Sequence, residues 1–273
     1  MPFIILISCE TEKKLDFRLP DDYKPAIVIH GFINPKTGVK VAVSKTAPIY
    51  ESKNDTYPED AVITLIEDNT EIFNLTETDS GVFVSPPGFI PCESCGYQIK
   101  ASAPGLPSVL SSVQYIMPVV NIDSLRIVNN NGWYLEFLIS DPAETNNYYY
   151  FKYDEAQITL DTTELFSNSS FINSTADDSF NGEKKWHSIR YYSDPFTDTV
   201  IVNGYVFNLS EDLNKFNSSM DEYYYTYGDP FLWNTSAVYS NIEGGYGIFA
   251  SYSYSSKSII FIQPSNYTKH NDK

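Results

Sequence analysis

The sequence is poor in the residues that most catalytic and metal chemistry needs. Its 273 residues include only three His, three Cys, three Met and three Trp. The histidines lie far apart at His30, His187 and His270. Three His and three Cys are too few for a zinc cage of the usual ligand spacing. Positive charge is scarce as well: 18 Lys plus Arg face 35 Asp plus Glu, a formal net charge of −17. That balance argues against a nucleic-acid backbone or an anionic bilayer surface as partner. There is no Gly-x-Ser-x-Gly elbow to hold a nucleophilic serine, no Asp-x-Asp-x-Asp calcium loop and no solenoid-type repeat. Gly244-Gly245-Tyr246-Gly247 lacks the lysine and the following helix of a phosphate loop. Its glycines instead suit a bend or a close approach of strands. No cofactor is expected.

What the chain has in quantity is tyrosine and phenylalanine, 22 and 17 residues, within a hydrophobic share of 42%. That is enough apolar material for a true core. Tyr, Asn, Ser, Thr and Val dominate, a composition suited to strands and to export. From Pro25 the pattern is one of short strands between turn residues. Ala26–Ile33 is a first strand, closed by the turn cluster Asn34-Pro35-Lys36-Thr37-Gly38. Val39, Val41 and Val43 alternate with Lys40, Ala42 and Ser44, the period of a half-buried strand. Ala61–Ile66 and Glu71–Leu75 read as a hairpin around Glu67-Asp68-Asn69-Thr70. With Gly81–Val84, Gly96–Ala101 and Val109–Ile116 this makes about seven strands in roughly 90 residues, as in an Ig-like or transthyretin-like sandwich.

Pro118 marks the expected boundary. Beyond it Asn121–Ile127, Trp133–Ile139, Tyr148–Tyr153, Ile189–Tyr192, Thr199–Phe207, Ile248–Tyr252 and Ser258–Gln263 read as strands. Residues 163–186, rich in Asn, Ser and Asp, read as a long loop. Ser210 is an N-cap with Glu211 and Asp212 in the first turn, and Leu213, Phe216 and Met220 follow at helical spacing. The expected class is therefore mainly β: an N-terminal Ig-like/transthyretin-like β-sandwich over 25–117, then a β-rich domain over 118–273 with one amphipathic helix.

The N-terminus carries a second kind of signal. Residues 1–9 are an apolar run ending in Leu6-Ile7-Ser8-Cys9, which resembles the lipobox of bacterial lipoproteins. In such signals the cysteine is acylated after cleavage, so Cys9 is the expected lipidation site and the expected anchor to a membrane. No Lys or Arg precedes the run and it is shorter than a normal signal core, which suggests that translation begins upstream. Residues 10–24 are charged and unpatterned, as a tether beyond an anchor. The two other cysteines, Cys92 and Cys95, form an even pair in an oxidising envelope, where a small disulfide ring fits best. A free dithiol is the next reading. Redox catalysis is disfavoured because Gly96–Ala101 alternates like a strand, without the helix N-terminus that activates such thiols.

Several segments together carry a family resemblance. They are Ser8-Cys9, Ile27-Val28-Ile29-His30-Gly31-Phe32-Ile33, Val41–Pro48, Gly96-Tyr97-Gln98-Ile99, Asp141-Pro142 with Asn147-Tyr148-Tyr149, and Ser240–Phe249. Their order resembles the Bacteroidota lipoprotein family known as domain of unknown function 4249. The last segment is the most specific. The resemblance implies an outer-membrane lipoprotein with an N-terminal β-sandwich. It also implies an outer-membrane β-barrel receptor of the TonB-dependent type as partner in nutrient uptake. It assigns no catalytic residues, and none is expected.

Candidate binding residues come from the aromatics. Tyrosine offers broad amphipathic contact at low entropy cost. Three consecutive tyrosines on a helix cannot all face its core. Tyr223, Tyr224 and Tyr225, with Trp233 in the following loop and Tyr246 at the glycine bend, are therefore the expected contact surface. Tyr148–Tyr150 alternate in a strand and suit a core. Paired carboxylates are the enzymatic alternative, a surface glycan hydrolase or a carbohydrate-binding protein, with Asp194 and Glu243 as the acids to test. A structural adhesion or assembly component of the outer membrane is the third reading. Asn-x-Ser/Thr sequons at Asn74, Asn168 and Asn234 are what chance supplies in so Asn-, Ser- and Thr-rich a chain.

Overall fold

A computed structural model of the chain describes residues 23–47, 57–143, 146–158, 163–166, 175–177, 179–192, 199–226 and 237–262. Before Pro118 these form β1 (Ile27–Asn34), β2 (Gly38–Lys45), β3 (Val62–Glu67), β4 (Thr70–Asn74), β5 (Thr76–Asp79), β6 (Val82–Val84), β7 (Gly96–Ser102), β8 (Val109–Ser111) and β9 (Gln114–Tyr115). After it come β10 (Ile122–Asn129), β11 (Trp133–Ser140), β12 (Tyr148–Ile158), β13 (Thr163–Phe166), β14 (Thr175–Ala176), β15 (Lys184–Arg190) and β16 (Thr199–Leu209). The helix α1 (Glu211–Thr226), β17 (Ile242–Glu243) and β18 (Tyr246–Ile262) complete the order. The protein is mainly β and sandwich-like, with a single helix among the described residues.

Period-two patterning sets most of these strands. Val39, Val41 and Val43 are buried while Lys40 is exposed. Leu135, Phe137 and Ile139 on β11 are fully buried, and each such side chain contributes about 1.5–3 kcal/mol of transfer free energy. The β3–β4 hairpin turns through Asp68 (φ 47°) and Asn69 (φ 66°). Both lie in the left-handed region, where Asp and Asn are tolerated and where a two-residue turn matches the twist of its strands.

Three sheets result. A nine-stranded sheet runs β13-β12-β16-β18-β1-β2-β6-β5, with β14 also on β12. A six-stranded sheet runs β17-β8-β7-β3-β4, with β9 on β7, and a third has the order β10-β11-β15. One core gathers Ile29, Val41, Leu65, Tyr97 and Ile99 from β1, β2, β3 and β7. A second gathers Leu135, Phe137, Phe151, Ile189 and Val202 from β11, β12, β15 and β16.

The long strand β18 serves both. Its first residues pair in parallel with β1, from Val28↔Tyr246 to Ile33↔Ser251. From Tyr252 onward it pairs antiparallel with β16, from Leu209↔Tyr252 to Thr199↔Ile262. Residues on both sides of Pro118 therefore share one sheet. Sequence patterning shows two strands here, because the middle of the run is serine and tyrosine rather than alternating aliphatics. The structure shows what serine contributes. Ser251 donates to the Tyr115 carbonyl, Ser253 to that of Pro118 (2.7 Å) and Ser255 to that of Val120 (2.6 Å). Lys257 continues the row onto the Asp123 carbonyl at 2.6 Å. Alternate residues on one face of β18 thus satisfy the carbonyls of the segment linking the two cores.

The region expected as a loop over 163–186 also departs from its reading. β13 and β14 lie within it, and β15 begins at Lys184 rather than Ile189. Lys184, Lys185 and Trp186 pair with Ser140, Ile139 and Leu138 of β11. Their polarity hides the strand, and a distant partner supplies its hydrogen bonds.

Candidate functional site

The outward face of the large sheet is aromatic where β16, β18, β12 and β1 meet. Along each strand alternate residues point outward: Tyr205 and Phe207 on β16, and Tyr252 and Tyr254 on β18, with Tyr150 beside them on β12 and Phe32 on β1. The rings form a connected lattice. Phe207 lies 5.8 Å from Tyr150, 6.1 Å from Tyr252 and 5.6 Å from Tyr254 between centroids. Tyr252 lies 5.9 Å from Phe32, which lies 4.9 Å edge-on from His30. These spacings are those of favourable offset and edge-to-face pairs.

Helix α1 crosses this floor. Ser210 caps it, its hydroxyl 3.4 Å from the Leu213 N–H, as the sequence predicts. Leu213 is buried, and Phe216 and Met220 follow on the same face. The C-terminal half of the helix divides the floor into two cavities. One, about 680 Å³, lies against Phe32, Tyr150, Phe207, Tyr252 and Leu213, with Asn217, Ser218 and Asp221 on its helical side. The other, about 560 Å³, lies against His30, Phe216, Tyr239, Tyr246 and Gly247. Met220 borders both. Concave, mostly apolar clefts with a few placed polar groups are the usual form of a ligand site. Burial lowers the pKa of His30, favouring its neutral form there.

The helix is held at its N-terminal end by one carboxylate. Asp212 accepts from Ser112 (2.7 Å), Gln114 (2.6 Å), Asn241 (2.8 Å) and the Tyr239 hydroxyl (2.6 Å). Burial pulls the Asp212 carboxyl upward, and these four donors outweigh it and hold it below the usual carboxylate range. Asn241 is the second hub. Its amide also donates to the Phe249 carbonyl (2.7 Å) and accepts from the Phe249 N–H (2.9 Å). The glycines that follow let β18 enter beside β1. A Cβ on Gly245 would stand 2.5 Å from the Ile27 carbonyl oxygen, and one on Gly247 (φ +104°) only 1.9 Å from that of Ile29. The segment Ser240–Phe249, the most specific part of the sequence, thus docks the helix and admits the strand.

The Asp141-Pro142 and Asn147-Tyr148-Tyr149 motifs build an interior network instead. Tyr149 donates to Asp141, which also takes the Gly182 N–H at 2.7 Å. Asn147 takes the Asn208 amide at 2.7 Å, and Asp177 takes the Asn147 N–H at 2.9 Å. Burial and the Asp141 carboxylate raise the Tyr149 phenol far above its ordinary value. His187 stacks on Phe151 at 4.8 Å, and burial depresses it to about 4. Among the described residues no three His, Cys, Asp or Glu side chains gather as a metal site.

The sequence-derived candidates fall in different places. Cys9, Trp233 and Asp194 lie outside the described residues. Tyr224 and Tyr225 are 67% and 84% exposed at the end of α1, and Tyr223 is half-buried, its ring 5.8 Å from that of Tyr224. Tyr246 borders the second cavity, so it is brought to the cleft. Glu243 pairs with Leu110 at the edge of the six-stranded sheet, beside a separate surface cavity. Cys92 and Cys95 are joined as a disulfide, with Cα atoms 5.4 Å apart, and β7 starts at Gly96 directly after them. Sequence reasoning missed Phe32, Phe207 and Tyr252. The available signal was the period-two spacing of Tyr205 with Phe207 and of Tyr252 with Tyr254, which places each pair on one face of its strand.

Among helices of the described residues none is long and apolar enough to cross a membrane. Among curated proteins, none matches this sequence. Among solved structures, a Legionella pneumophila protein of the DUF4785 family aligns at 9% identity and a TM-score of 0.27, covering 67% of this chain. The alignment spans about half of that protein, 52% of its length. The chicken interferon gamma receptor alpha chain aligns at 10% identity and a TM-score of 0.20, covering 67% of this chain and 89% of the receptor. Likenesses so slight carry no argument. The family model described as domain of unknown function DUF4249 matches residues 12–258, nearly the whole sequence, and the chain belongs to that family.

Proposed function

We propose that this is a lipid-anchored, non-enzymatic protein of the cell envelope. It acts as an accessory or substrate-binding partner of a TonB-dependent outer-membrane receptor in nutrient uptake. The cleft under α1 is its recognition surface. The observation that carries the binding reading is the pair of cavities beside Met220, floored by a ring lattice and walled by a helix whose N-terminal end is firmly latched. A rigid floor keeps the site formed in the absence of ligand, which limits the ordering cost of binding. The lipobox-like Leu6-Ile7-Ser8-Cys9 supports the anchor.

The experiment is a mild-detergent pull-down from native outer membranes through a C-terminal tag, with Cys9→Ala and Phe207→Ala/Tyr252→Ala forms beside the parent. The expected result is one stoichiometric β-barrel receptor with the parent, lost with Cys9→Ala and weakened by the double substitution. Recovery of the protein alone, still membrane-bound, would refute the receptor partnership. It would direct attention to a free-standing binder.

A further inference from the structure

The ring lattice already holds positive charge at one end. The Lys36 ammonium sits 4.2 Å from the centroid of the Tyr254 ring, and the Lys152 ammonium 5.9 Å from that of Tyr205. Both lysines are also engaged elsewhere. Lys36 donates to the Tyr254 carbonyl at 2.9 Å, and Lys152 is ion-paired with Asp154 at 3.1 Å. Two residues along each strand the same face continues as Phe207 and Tyr252, joined by Tyr150 and Phe32, and opens into the larger cavity. Here the arrangement changes sign. None of the described residues lining this cavity is basic, and the one charged group is the carboxylate of Asp221. The nearest helical lysine, Lys215, is taken by Glu211 at 2.7 Å. The field of Asp221 reaches the floor: after burial, it is the second cause that pushes the Tyr150 phenol up to about 12.

Four aromatic rings and one carboxylate around a cavity of about 680 Å³ have a chemical complement. Ring faces carry negative quadrupole and attract an ammonium. The carboxylate supplies the counter-charge, and the net charge of −17 draws cations at long range. An anionic ligand would meet the like charge of Asp221 with no basic group among the described lining residues to offset it.

We infer that the larger cavity under α1 binds a small organic cation, an ammonium group on an apolar body. The ammonium lies over the Phe207 and Tyr252 rings facing Asp221, and the apolar body lies along Leu213 and Met220. This inference rests on reading the cleft as a recognition surface and names its ligand class.

The test is calorimetric titration of the full-length Cys9→Ala protein with three probes of one shape: 3-phenylpropylamine, 3-phenylpropanol and 3-phenylpropanoate. The amine should bind about tenfold more tightly than the alcohol, and the carboxylate most weakly. Asp221→Asn, an exposed helical change that leaves the fold intact by circular dichroism, should reduce the advantage of the amine to about twofold while leaving alcohol binding unchanged. Tyr252→Leu should weaken both. The inference is overturned if the alcohol or the carboxylate binds as tightly as the amine, if the amine shows no binding at millimolar concentration, or if Asp221→Asn leaves the preference intact. The receptor pull-down reads none of these quantities. Failure of the cation site with the receptor retained would reject the ligand class alone, and loss of the receptor with the cation site retained would reject the partnership alone.

Discussion

Glu155 should make this protein less stable as pH rises through neutrality. It lies on β12 with 1% of its surface exposed, paired through the backbone with Val202 of β16. Burial pushes its carboxyl from 4.5 up to about 7, and the Tyr191 hydroxyl opposes this only in part. Between those two values the folded protein keeps a proton that the unfolded chain has released. Its stabilising effect is thus complete below pH 4.5 and is lost as pH climbs through about 7. At 1.36 kcal/mol for each tenfold in proton affinity, the loss amounts to about 3 kcal/mol. Glu155→Gln keeps the shape and removes the titration. The assay is urea unfolding of both proteins at several pH values, followed by tryptophan fluorescence. Trp133 packs against the core that contains β12, and Trp186 lies on β15, paired with β11. The substituted protein should gain about 3 kcal/mol over the parent between pH 4.5 and about pH 8. Stability profiles that stay parallel across that range would refute the reasoning.

Four further outcomes follow from the packing. Gly247→Ala places a Cβ 1.9 Å from the Ile29 carbonyl oxygen at φ +104° and should break the β1–β18 pairing, giving a protein without a cooperative thermal transition. Asn241→Ala removes contacts to Asp212, Ser112 and both polar groups of Phe249 and should cost about 2–4 kcal/mol in denaturant unfolding. Asp212, held below the usual carboxylate range, contributes stability that is present above that range and lost as pH falls through its folded value. Asp212→Asn should therefore flatten the acid limb of the stability profile, and a limb unchanged from the parent would count against the latch. Ser251→Ala/Ser253→Ala/Ser255→Ala strips three donors from the linking segment. It should lower stability by about 3 kcal/mol and speed amide exchange over residues 115–123.

The strands that alternate aliphatic with polar residues were legible because burial on one face is a local, period-two property. Val39–Val43, Leu135–Ile139 and the Asp68-Asn69 turn are of this kind, and so is the helix announced by Ser210 and the spacing of Leu213, Phe216 and Met220. Polar strands were not legible. The Ser-Tyr run of β18 gains its partners from carbonyls about 135 residues away. Lys184–Trp186 are strand only because β11 lies alongside.

The same division holds for the site. The sequence by itself determined a mainly β chain, an acidic surface, a capped helix and an abundance of tyrosine, since composition and short-range periodicity decide these. Which tyrosines meet was a matter for the tertiary structure alone. Tyr224 and Tyr225 stand in solvent, while Tyr150 joins Phe32, Phe207 and Tyr252 around one cavity. Those four rings come from four strands spread from residue 32 to residue 252, and the register of β18 between β1 and β16, with that of β12 on β16, sets them side by side.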